Sequence, residues 1–489
     1  MKNREEYIES LRQVKPVVYY LGEKVESVVD HPAFQPHVNC AALTYELACR
    51  PEHQELLTAW SPFLQARVNR WTHIHENTSD LVKKVKALRL LGQKTGACFQ
   101  RCVGWDALNA VYSVTWEIDQ KNKTSYHARF LKLLERVQRD DLMLAGAMSD
   151  PKGDRSKKPG QQEDPDMYVH VVERRPDGIV VRGAKAHMTG MINSHEMLVM
   201  PTLGLGEDEG DYAVCFSLPV DAPGVIHIFG RQTNDTRRME NSTIDTGNHQ
   251  FGVVGGEALT IFDDVFVPLE NVFLCGETEY SGLLVERFAT LHRQNYGGCK
   301  TGVSDVIIGA AAALADYNGV EAASHVRDKL VEMTHLAETL YGCSLACSNE
   351  GRATPSGAYV ADPMLANITK QNVTRNIYEI CRLAQDIAGG LMATLPSEAD
   401  MNNPEIGPFI TKYLKGREGV NTEARIRMMR LIENLTGGTA LVESMHGAGS
   451  PQAQKIMIYR NSGIKGKKRL AEILAGVEPE KGDNSRNSG

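Results

Sequence analysis

The sequence lacks the segments that mark membrane or exported proteins. Its 489 residues contain no uninterrupted run of about 18 apolar residues, which is the length a membrane-spanning helix requires. The longest apolar stretch, from Val306 to Leu314, is too short. The N-terminus, MKNREEYIESLRQ, is charged and has no apolar core of the kind found in signal peptides. We therefore expect a cytoplasmic protein without a membrane partner.

The chain also lacks an excess of positive charge. Lysine and arginine number 54 against 61 acidic residues, which gives a formal net charge of -7. Nucleic-acid-binding proteins are typically basic, so we expect no nucleic-acid partner. No G-x-G-x-x-G fingerprint occurs in a βαβ setting, which argues against a nicotinamide site. Ten cysteines in a chain without an export signal indicate reduced thiols or metal ligands rather than disulfides.

The hydrophobic pattern changes twice along the chain. Apolar residues at helical spacing fill 1–141 and return at 276–475, whereas 142–275 alternates β-branched and polar residues. Within that middle segment, MYVHVVERRPDGIVVRGAKAHMTG predicts a hairpin around a PDG turn. The polar tail, 476–489, is predicted to be disordered. We predict an α+β fold of acyl-CoA dehydrogenase type, with an N-terminal helical domain, a middle β domain and a C-terminal helical domain. Fold alone does not set function.

Two distant segments carry a cysteine and histidine set. One contains Cys98 and Cys102, and the other contains His292 and Cys299. On helices, a spacing of four places both side chains on one face, and a spacing of seven nearly does so. Three thiols and an imidazole are sufficient to hold an iron–sulfur cluster or a zinc ion. The sequence therefore contains a candidate metal site.

Spacing alone does not decide this point. Cys343 and Cys347 form a second pair with the same spacing, and most isolated cysteines on apolar helix faces are core residues. Gly297 and Gly298, which precede Cys299, are expected to break their helix and let the backbone approach the site closely. On the residues alone, a metal site and a set of core cysteines both stay open.

Seven segments of the chain carry a resemblance to a known family, and together they are highly specific for it. They are LGQKTGACFQRCVGWDALNAV, GAMSDPKGDR, IVVRGAKAHMTGMINSHE, RFATLHRQNYGGCK, GVSDVIIGAAAALADYNG, DIAGGLM and ESMHGAGSPQAQ. Through them the chain resembles, almost end to end, the 4-hydroxybutyryl-CoA dehydratase family of flavin and iron–sulfur enzymes, which also have vinylacetyl-CoA Δ-isomerase activity. The wider superfamily includes flavin-dependent 4-hydroxyphenylacetate hydroxylases, which lack the cluster ligands. The intact ligand positions favour the dehydratase branch.

The resemblance implies one FAD per subunit, a [4Fe–4S] cluster and a homotetramer. It implies conversion of 4-hydroxybutyryl-CoA to crotonyl-CoA by a radical route, in which FAD accepts one electron and returns it. It assigns the cluster to Cys98, Cys102, His292 and Cys299, which leaves Cys343 and Cys347 as core or interface residues. His292, once displaced from iron by the substrate hydroxyl, is expected to act as a base.

The resemblance also assigns residues around the cluster. Glu443 is expected to be a second acid or base and Glu257 a supporting carboxylate, although each glutamate alone would be a surface charge. Tyr296 and Lys300 are expected to form hydrogen bonds near flavin and substrate, although a lysine by itself indicates a solvated helix face. Gln100, between the first two ligands, is a further candidate for the lining of the site.

A third set of residues is expected to contact FAD. The segment MSDPKGDR offers backbone amides and basic side chains, although as a bare string it is only a charged turn. The segment GAKAHMTG matches a flavin-facing strand, and DIAGGLM matches a segment that meets the FAD of a neighbouring subunit, although a lone GG pair usually ends a helix. The candidates are Asp150, Lys152, Arg155, Lys185, His187, Thr189, Gly389 and Gly390, with Thr189 near the isoalloxazine ring.

Two alternatives stand beside this interpretation. One is a cluster-free flavin-dependent monooxygenase or acyl-CoA dehydrogenase of the same fold, against which the four intact ligand positions argue. The other is a non-catalytic protein with structural zinc, whose ligands normally form closely spaced pairs rather than pairs about 190 residues apart. The segment near 398–428 looks shorter than its counterpart in the family and is expected to alter a surface loop or a subunit contact.

Overall fold

A computed structural model of the chain describes residues 1–248, 250–252 and 256–477. Nearly all of the tail predicted to be disordered lies outside these ranges. The helices, numbered in chain order, are α1 (Arg4–Arg12), α2 (Gln35–Cys49), α3 (Gln54–Leu57), α4 (Thr78–Thr95), α5 (Cys102–Asn122), α6 (Tyr126–Arg139), α7 (Asp235–Met239), α8 (Thr278–Tyr317), α9 (Ser324–Asn349), α10 (Pro363–Ala388), α11 (Glu398–Asn402), α12 (Gly407–Tyr413), α13 (Thr422–Thr436), α14 (Thr439–His446), α15 (Pro451–Asn461) and α16 (Ile464–Leu474).

Most strands lie between α6 and α8, where the alternating pattern predicts them. They are β1 (Val17–Tyr20), β2 (Glu23–Lys24), β3 (Thr58–Ser61), β4 (Ala66–Asn69), β5 (Leu144–Ala147), β6 (His170–Arg175), β7 (Gly178–Thr189), β8 (Glu196–Val199), β9 (Val214–Pro219), β10 (Val225–Phe229), β11 (Glu257–Pro268), β12 (Val272–Cys275), β13 (Arg352–Ala353) and β14 (Tyr359–Val360). The predicted hairpin is confirmed, since β6 pairs antiparallel with β7.

Two sheets form the centre of the molecule. The larger has the strand order β2-β1-β10-β11-β7-β6, and the smaller has the order β12-β9-β8-β5. The larger sheet includes a strand from the N-terminal segment that is predicted to be mostly helical, because β1 pairs parallel with β10. One apolar core joins the N-terminal helices to both sheets, and a second lies among α8, α9, α10 and α13. The segment 398–428 forms α11, α12 and the start of α13.

Helix α8 is the central helix of the C-terminal half. By length and hydropathy it is the one helix of the described ranges that could cross a membrane. Half of its most apolar window is buried inside the protein, and the core helices of globular proteins meet the same criterion. It contacts α4, α5, α9 and α10 and carries fully buried polar side chains such as Gln294 and Thr301. We therefore describe α8 as a core helix.

Two glycines let α8 pack closely against its neighbours. The helix continues through Gly297 and Gly298, which corrects the predicted break. The close approach that the structure shows is to a neighbouring helix: a Cβ at Gly298 would lie 2.6 Å from the Val85 carbonyl oxygen of α4 and 2.9 Å from Leu88 Cβ. The predicted approach of the backbone to the ligand site stays a prediction. A Cβ at Gly297 would collide with Ser344 of α9. Small residues here bring three helix backbones together beside Cys299.

Candidate active site

The four predicted ligands lie on three segments. Cys102 is the first residue of α5, His292 and Cys299 lie in α8, and Cys98 lies in the connection before α5. This corrects the prediction that Cys98 and Cys102 share one helix face. Helix α4 ends where Gly96 adopts a left-handed conformation (φ 59°), and the chain turns again at Gln100 (φ 71°). Cys98 is therefore placed by a loop.

The three thiols lie close enough to influence one another. Burial raises the pKa of each, that of Cys299 to about 11. The negative charge of Cys299 raises the pKa of Cys98 and of Cys102 further. Across the described ranges, no three His, Cys, Asp or Glu side chains are arranged as a ready-made metal site. As a donor set, however, three thiols and an imidazole fit an iron–sulfur cluster, whose binding would deprotonate the thiols.

His292 is fixed in place by its neighbours. Its ring stacks on Phe288, with the centroids 5.4 Å apart, and meets the edge of Tyr296 at 5.6 Å. Its Nδ1 lies 2.8 Å from a carboxylate oxygen of Asp106. Because Nδ1 is engaged in this hydrogen bond, Nε2 is the nitrogen left for a metal or a proton.

Glu443 is the anionic centre of a second group of side chains. Tyr296 donates its hydroxyl to Glu443 Oε1 at 2.5 Å, and Lys300 donates to Oε2 at 2.6 Å. Burial alone would raise the pKa of Glu443, but the charge and hydrogen bond of Lys300 and the Tyr296 hydroxyl outweigh it and lower that pKa. Burial would lower the pKa of Lys300, but the negative charge and hydrogen bond of Glu443 outweigh it and raise that pKa. The structure therefore brings together three of the predicted catalytic residues.

Glu257 lies in a different electrostatic environment. It is paired in register with Thr189 across β11 and β7, and the Thr189 hydroxyl lies 2.8 and 2.7 Å from its two carboxylate oxygens. Burial, and then the negative charge of Glu443, raise the pKa of Glu257 to about 8. At neutral pH the side chain is therefore mainly a protonated carboxylic acid, while Glu443 is ionised.

Lys370 is a buried residue of this site that the sequence analysis missed. It lies in α10, with its ammonium 3.7 Å from the centre of the Tyr296 ring, and donates to the carbonyl oxygen of Ser444. Burial lowers its pKa to about 7. The buried residues Ala366 and Val373 lie four positions before it and three after it. In the sequence, the position of Lys370 on the apolar face of a helix is the signal that could have identified it as a buried lysine.

The residues predicted to bind FAD fall into two groups. Lys185 and Asp150 form a buried ion pair at 2.9 Å, and Lys185 also donates to the carbonyl oxygens of Met148 and Met200 at 2.8 Å. The three donors of Lys185 are used inside the protein, where they hold the segment that begins at Met148 against β7. The contacts of Lys185 and Asp150 with FAD stay predictions.

The second group stays accessible. Burial, and then the positive charge of Lys152, lower the pKa of His187, and smaller contributions come from His446 and Arg155. His187 therefore lies close enough to these three side chains to be influenced by their charges, at the end of β7 that also carries Thr189. Gly389 and Gly390 lie exposed at the end of α10, roughly 28 Å along that helix from Lys370. Their predicted contact with a neighbouring subunit stays a prediction.

A partly open cavity adjoins this site. Cys98, Lys300 and Glu443 form its polar part. Apolar side chains of α8, α10, α13 and α14 form the rest: Val303, Ile307, Ile377, Leu435, Ala440 and Leu441. The arrangement offers an apolar path to an ionised carboxylate, an ammonium and a thiol.

Comparison with known proteins identifies the family. Models of the N-terminal and C-terminal parts of 4-hydroxyphenylacetate 3-hydroxylase match residues 3–274 and 281–476. The chain belongs to the 4-hydroxyphenylacetate 3-hydroxylase family. Within this family it is 55% identical to the 4-hydroxybutyryl-CoA dehydratase/vinylacetyl-CoA-Delta-isomerase of Clostridium aminobutyricum, over 97% of this chain and 99% of that protein. The predicted resemblance is confirmed, and so is the prediction that the chain is an enzyme.

Comparison with solved structures supports the same family assignment and shows the fold. An oxygen-tolerant archaeal 4-hydroxybutyryl-CoA dehydratase from N. maritimus superposes with a TM-score of 0.95 at 52% identity, over 98% of this chain and 96% of that one. The oxygenase component of 4-hydroxyphenylacetate 3-monooxygenase, complexed with FAD, superposes with a TM-score of 0.84 at 25% identity, over 97% and 98%. A glutaryl-coenzyme A dehydrogenase matches at 0.52 and 11% identity, which confirms the predicted acyl-CoA dehydrogenase-like fold.

Proposed function

We propose that this enzyme removes water from 4-hydroxybutyryl-CoA to form crotonyl-CoA and also isomerises vinylacetyl-CoA, with FAD and a [4Fe–4S] cluster as cofactors. The observation that carries the proposal is the gathering of Cys98, Cys102 and Cys299 beside a fixed imidazole and an ionised Glu443. The 55% identity to a dehydratase of this reaction supports it. We also propose a cytoplasmic homotetramer.

The cofactors and the protein divide the chemistry. Cys98, Cys102, His292 and Cys299 would hold the cluster, and the end of β7 near Thr189 would face the flavin. When bound, the two groups supply one-electron oxidation and a Lewis acid for the departing hydroxyl. Most side chains that line the cavity are apolar, which strengthens the interactions of the charged side chains among them.

The protein's own residues supply an acid and a base. A pair of carboxyl groups whose environments push their pKa values apart identifies these roles. Glu443, ionised beside Lys300, is suited to accept a proton, and Glu257, protonated up to about pH 8, is suited to donate one. Tyr296 and Lys300 fix the carboxylate of Glu443 from two sides. His292 offers Nε2 as a further proton acceptor when it is not bound to metal.

The deciding experiment measures iron, acid-labile sulfide and flavin per chain in protein purified without oxygen, together with crotonyl-CoA formation. We expect about four irons and four sulfides. Cys102→Ala should lose iron, whereas the matched change Cys343→Ala, in the second Cys-x3-Cys pair, should keep it. Flavin-loaded protein without iron would instead favour the cluster-free monooxygenase or acyl-CoA dehydrogenase.

A second variant isolates the role of His292. Because a thiolate can replace an imidazole as an iron ligand, His292→Cys should retain a cluster. A thiolate that stays on iron leaves no free imidazole base, so turnover should be lost. Iron analysis and the crotonyl-CoA assay on the same preparation separate the two effects. Full activity of His292→Cys would contradict a direct role of the imidazole in proton transfer.

A further inference from the structure

Asp106 lies behind His292 and has no assigned role in the reaction. Its carboxylate is completely buried in α5 and accepts hydrogen bonds from two other helices. Lys84 of α4 donates to one oxygen. His292 Nδ1, at 2.8 Å, and Asn295 Nδ2, at 2.5 Å, both from α8, contact the other oxygen. Three helices therefore meet at this carboxylate.

The contacts favour one arrangement of hydrogen on His292. A carboxylate that is paired with an ammonium has only acceptors, so Nδ1 is the donor towards Asp106, and in a neutral imidazole Nε2 then has the lone pair. Lys84 and Asp106 form an ion pair in which both side chains are 0% exposed. Lys84 also donates, at 3.1 Å, to the carbonyl oxygen of Leu291, which directly precedes His292. The ammonium thus holds both the carboxylate and the backbone that carries the imidazole.

We propose that Asp106, held by Lys84, is a positioning residue that fixes His292 as the Nδ1–H tautomer and presents Nε2 to the metal. The inference rests on the proposed function, because it takes His292 to be an iron ligand. Histidine ligands commonly donate their second nitrogen to a carboxylate, and loss of that partner typically lowers metal affinity by roughly 10- to 100-fold. The stacked Phe288 and the edge of Tyr296 restrict the ring in the other directions.

The substitution Asp106→Asn tests this geometry with almost no change of shape. An ammonium can only donate, so the carboxamide oxygen is expected to face Lys84. The carboxamide NH₂ then faces His292 and also Asn295, whose side-chain amide has to turn its Oδ1 towards it. An NH₂ group donates to Nδ1 and forces hydrogen onto Nε2, as in the Asp→Asn variant of a catalytic triad. The imidazole in Asp106→Asn would therefore be in the tautomer that cannot bind iron.

The measurement is the rate at which a chelator removes iron from the anaerobic holoenzyme, with Mössbauer spectra of the same samples. Asp106→Asn should lose one of the cluster irons roughly 10- to 100-fold faster than wild type and change the signal of that iron. Asp80→Asn is the matched control, because Asp80 binds His73 at 3.2 Å and Arg70 at 3.0 Å in a similarly buried network. It should release iron at the wild-type rate. A wild-type rate and spectrum in Asp106→Asn would overturn the proposal.

A double variant keeps the test decisive if Asp106→Asn folds poorly. In Lys84→Gln/Asp106→Asn the ammonium is gone, so the carboxamide can turn its oxygen towards His292 and accept from Nδ1 again. This variant should recover most of the wild-type iron retention. Iron release at least ten times faster than wild type in the double variant would overturn the proposal. Absence of iron from wild type would contradict the proposed function itself, whereas the outcomes above concern Asp106 alone.

Discussion

Replacing Gly447 with alanine tests how closely Tyr296 and Glu443 must fit together. Gly447 follows α14 with φ −56° and ψ 142°, a conformation that alanine adopts without strain. A Cβ at this position would nevertheless lie 2.8 Å from Glu443 Oε1 and closer still to the Tyr296 hydroxyl. The backbone cannot easily retreat, because Arg293 donates to the next carbonyl, that of Ala448, at 2.9 Å.

The structure sets the size of the expected effect. The hydroxyl of Tyr296 must move away from Glu443, which breaks a 2.5 Å hydrogen bond to a charged group. Such a bond contributes about 1.5–3 kcal/mol. If the interaction serves the reaction, Gly447→Ala should lower kcat for crotonyl-CoA formation by roughly 10- to 150-fold. Overpacking should lower the free energy of unfolding by about 1–3 kcal/mol.

Two further variants make the result interpretable. Gly342→Ala introduces the same methyl group in α9, where nothing lies within 4 Å of the new Cβ, and should leave kcat unchanged. In a Tyr296→Phe background, Gly447→Ala should lower kcat little further, since the hydroxyl that it would displace is already absent. Wild-type kcat in Gly447→Ala, or a loss that adds fully to that of Tyr296→Phe, would refute this reasoning.

Two predictions concern buried groups whose pKa values are shifted. Glu257 stays protonated in the folded state up to about pH 8 but ionises above about pH 4.5 when unfolded, so wild-type stability should fall across that window by at most about 1.4 kcal/mol per pH unit. Glu257→Gln should flatten this fall, which urea denaturation at several pH values would measure. If the free energy of unfolding changed equally with pH in wild type and Glu257→Gln, the prediction would be contradicted. Burial lowers the pKa of Lys370 from 10.5 to about 7, so the folded state gives up this proton before the unfolded state does. The stability of Lys370→Met relative to wild type should therefore be highest below pH 7 and decline towards pH 10.5; a pH-independent difference would exclude a buried titrating amine.

The sequence predicts elements best where the signal is local. The β6–β7 hairpin is recognisable because alternating residues flank a PDG turn. Strand β1 has only four residues and exists because it pairs with β10, about 200 positions later. No local pattern shows a partner at that separation. Strand β1 was therefore missed, although the change from helical to alternating pattern after α6 was visible.

The candidate site shows the same division between local and distant information. The family resemblance locates the cysteines, but helical spacing misplaces Cys98, because the apolar period continues through a loop that turns at Gly96 and Gln100. Asp106 was visible in the sequence one helical turn after Cys102. Its role becomes apparent only when α4 and α8 pack against α5 and bring Lys84 and His292 to its carboxylate.

The distribution of buried charge explains why these residues occur together. Lys370 and Arg293 are both buried, and in the described part of the chain neither has a carboxylate oxygen within 4.0 Å. They donate instead to the carbonyl oxygens of Ser444 and Ala448, on either side of the turn that follows Glu443. A buried cation without an anion in contact is costly, and the lowered pKa of Lys370 reflects this cost, which the charge of Glu443 offsets only in part.

Cys299 is the predicted ligand that this positive charge influences. Burial raises the pKa of Cys299, and the charge of Glu443 also raises it, whereas the positive charges of Lys300 and Lys370 lower it. Thiolates are the form in which cysteine binds iron. Lys300 and Lys370 therefore act on Cys299 in the direction that binding of iron by its thiolate requires.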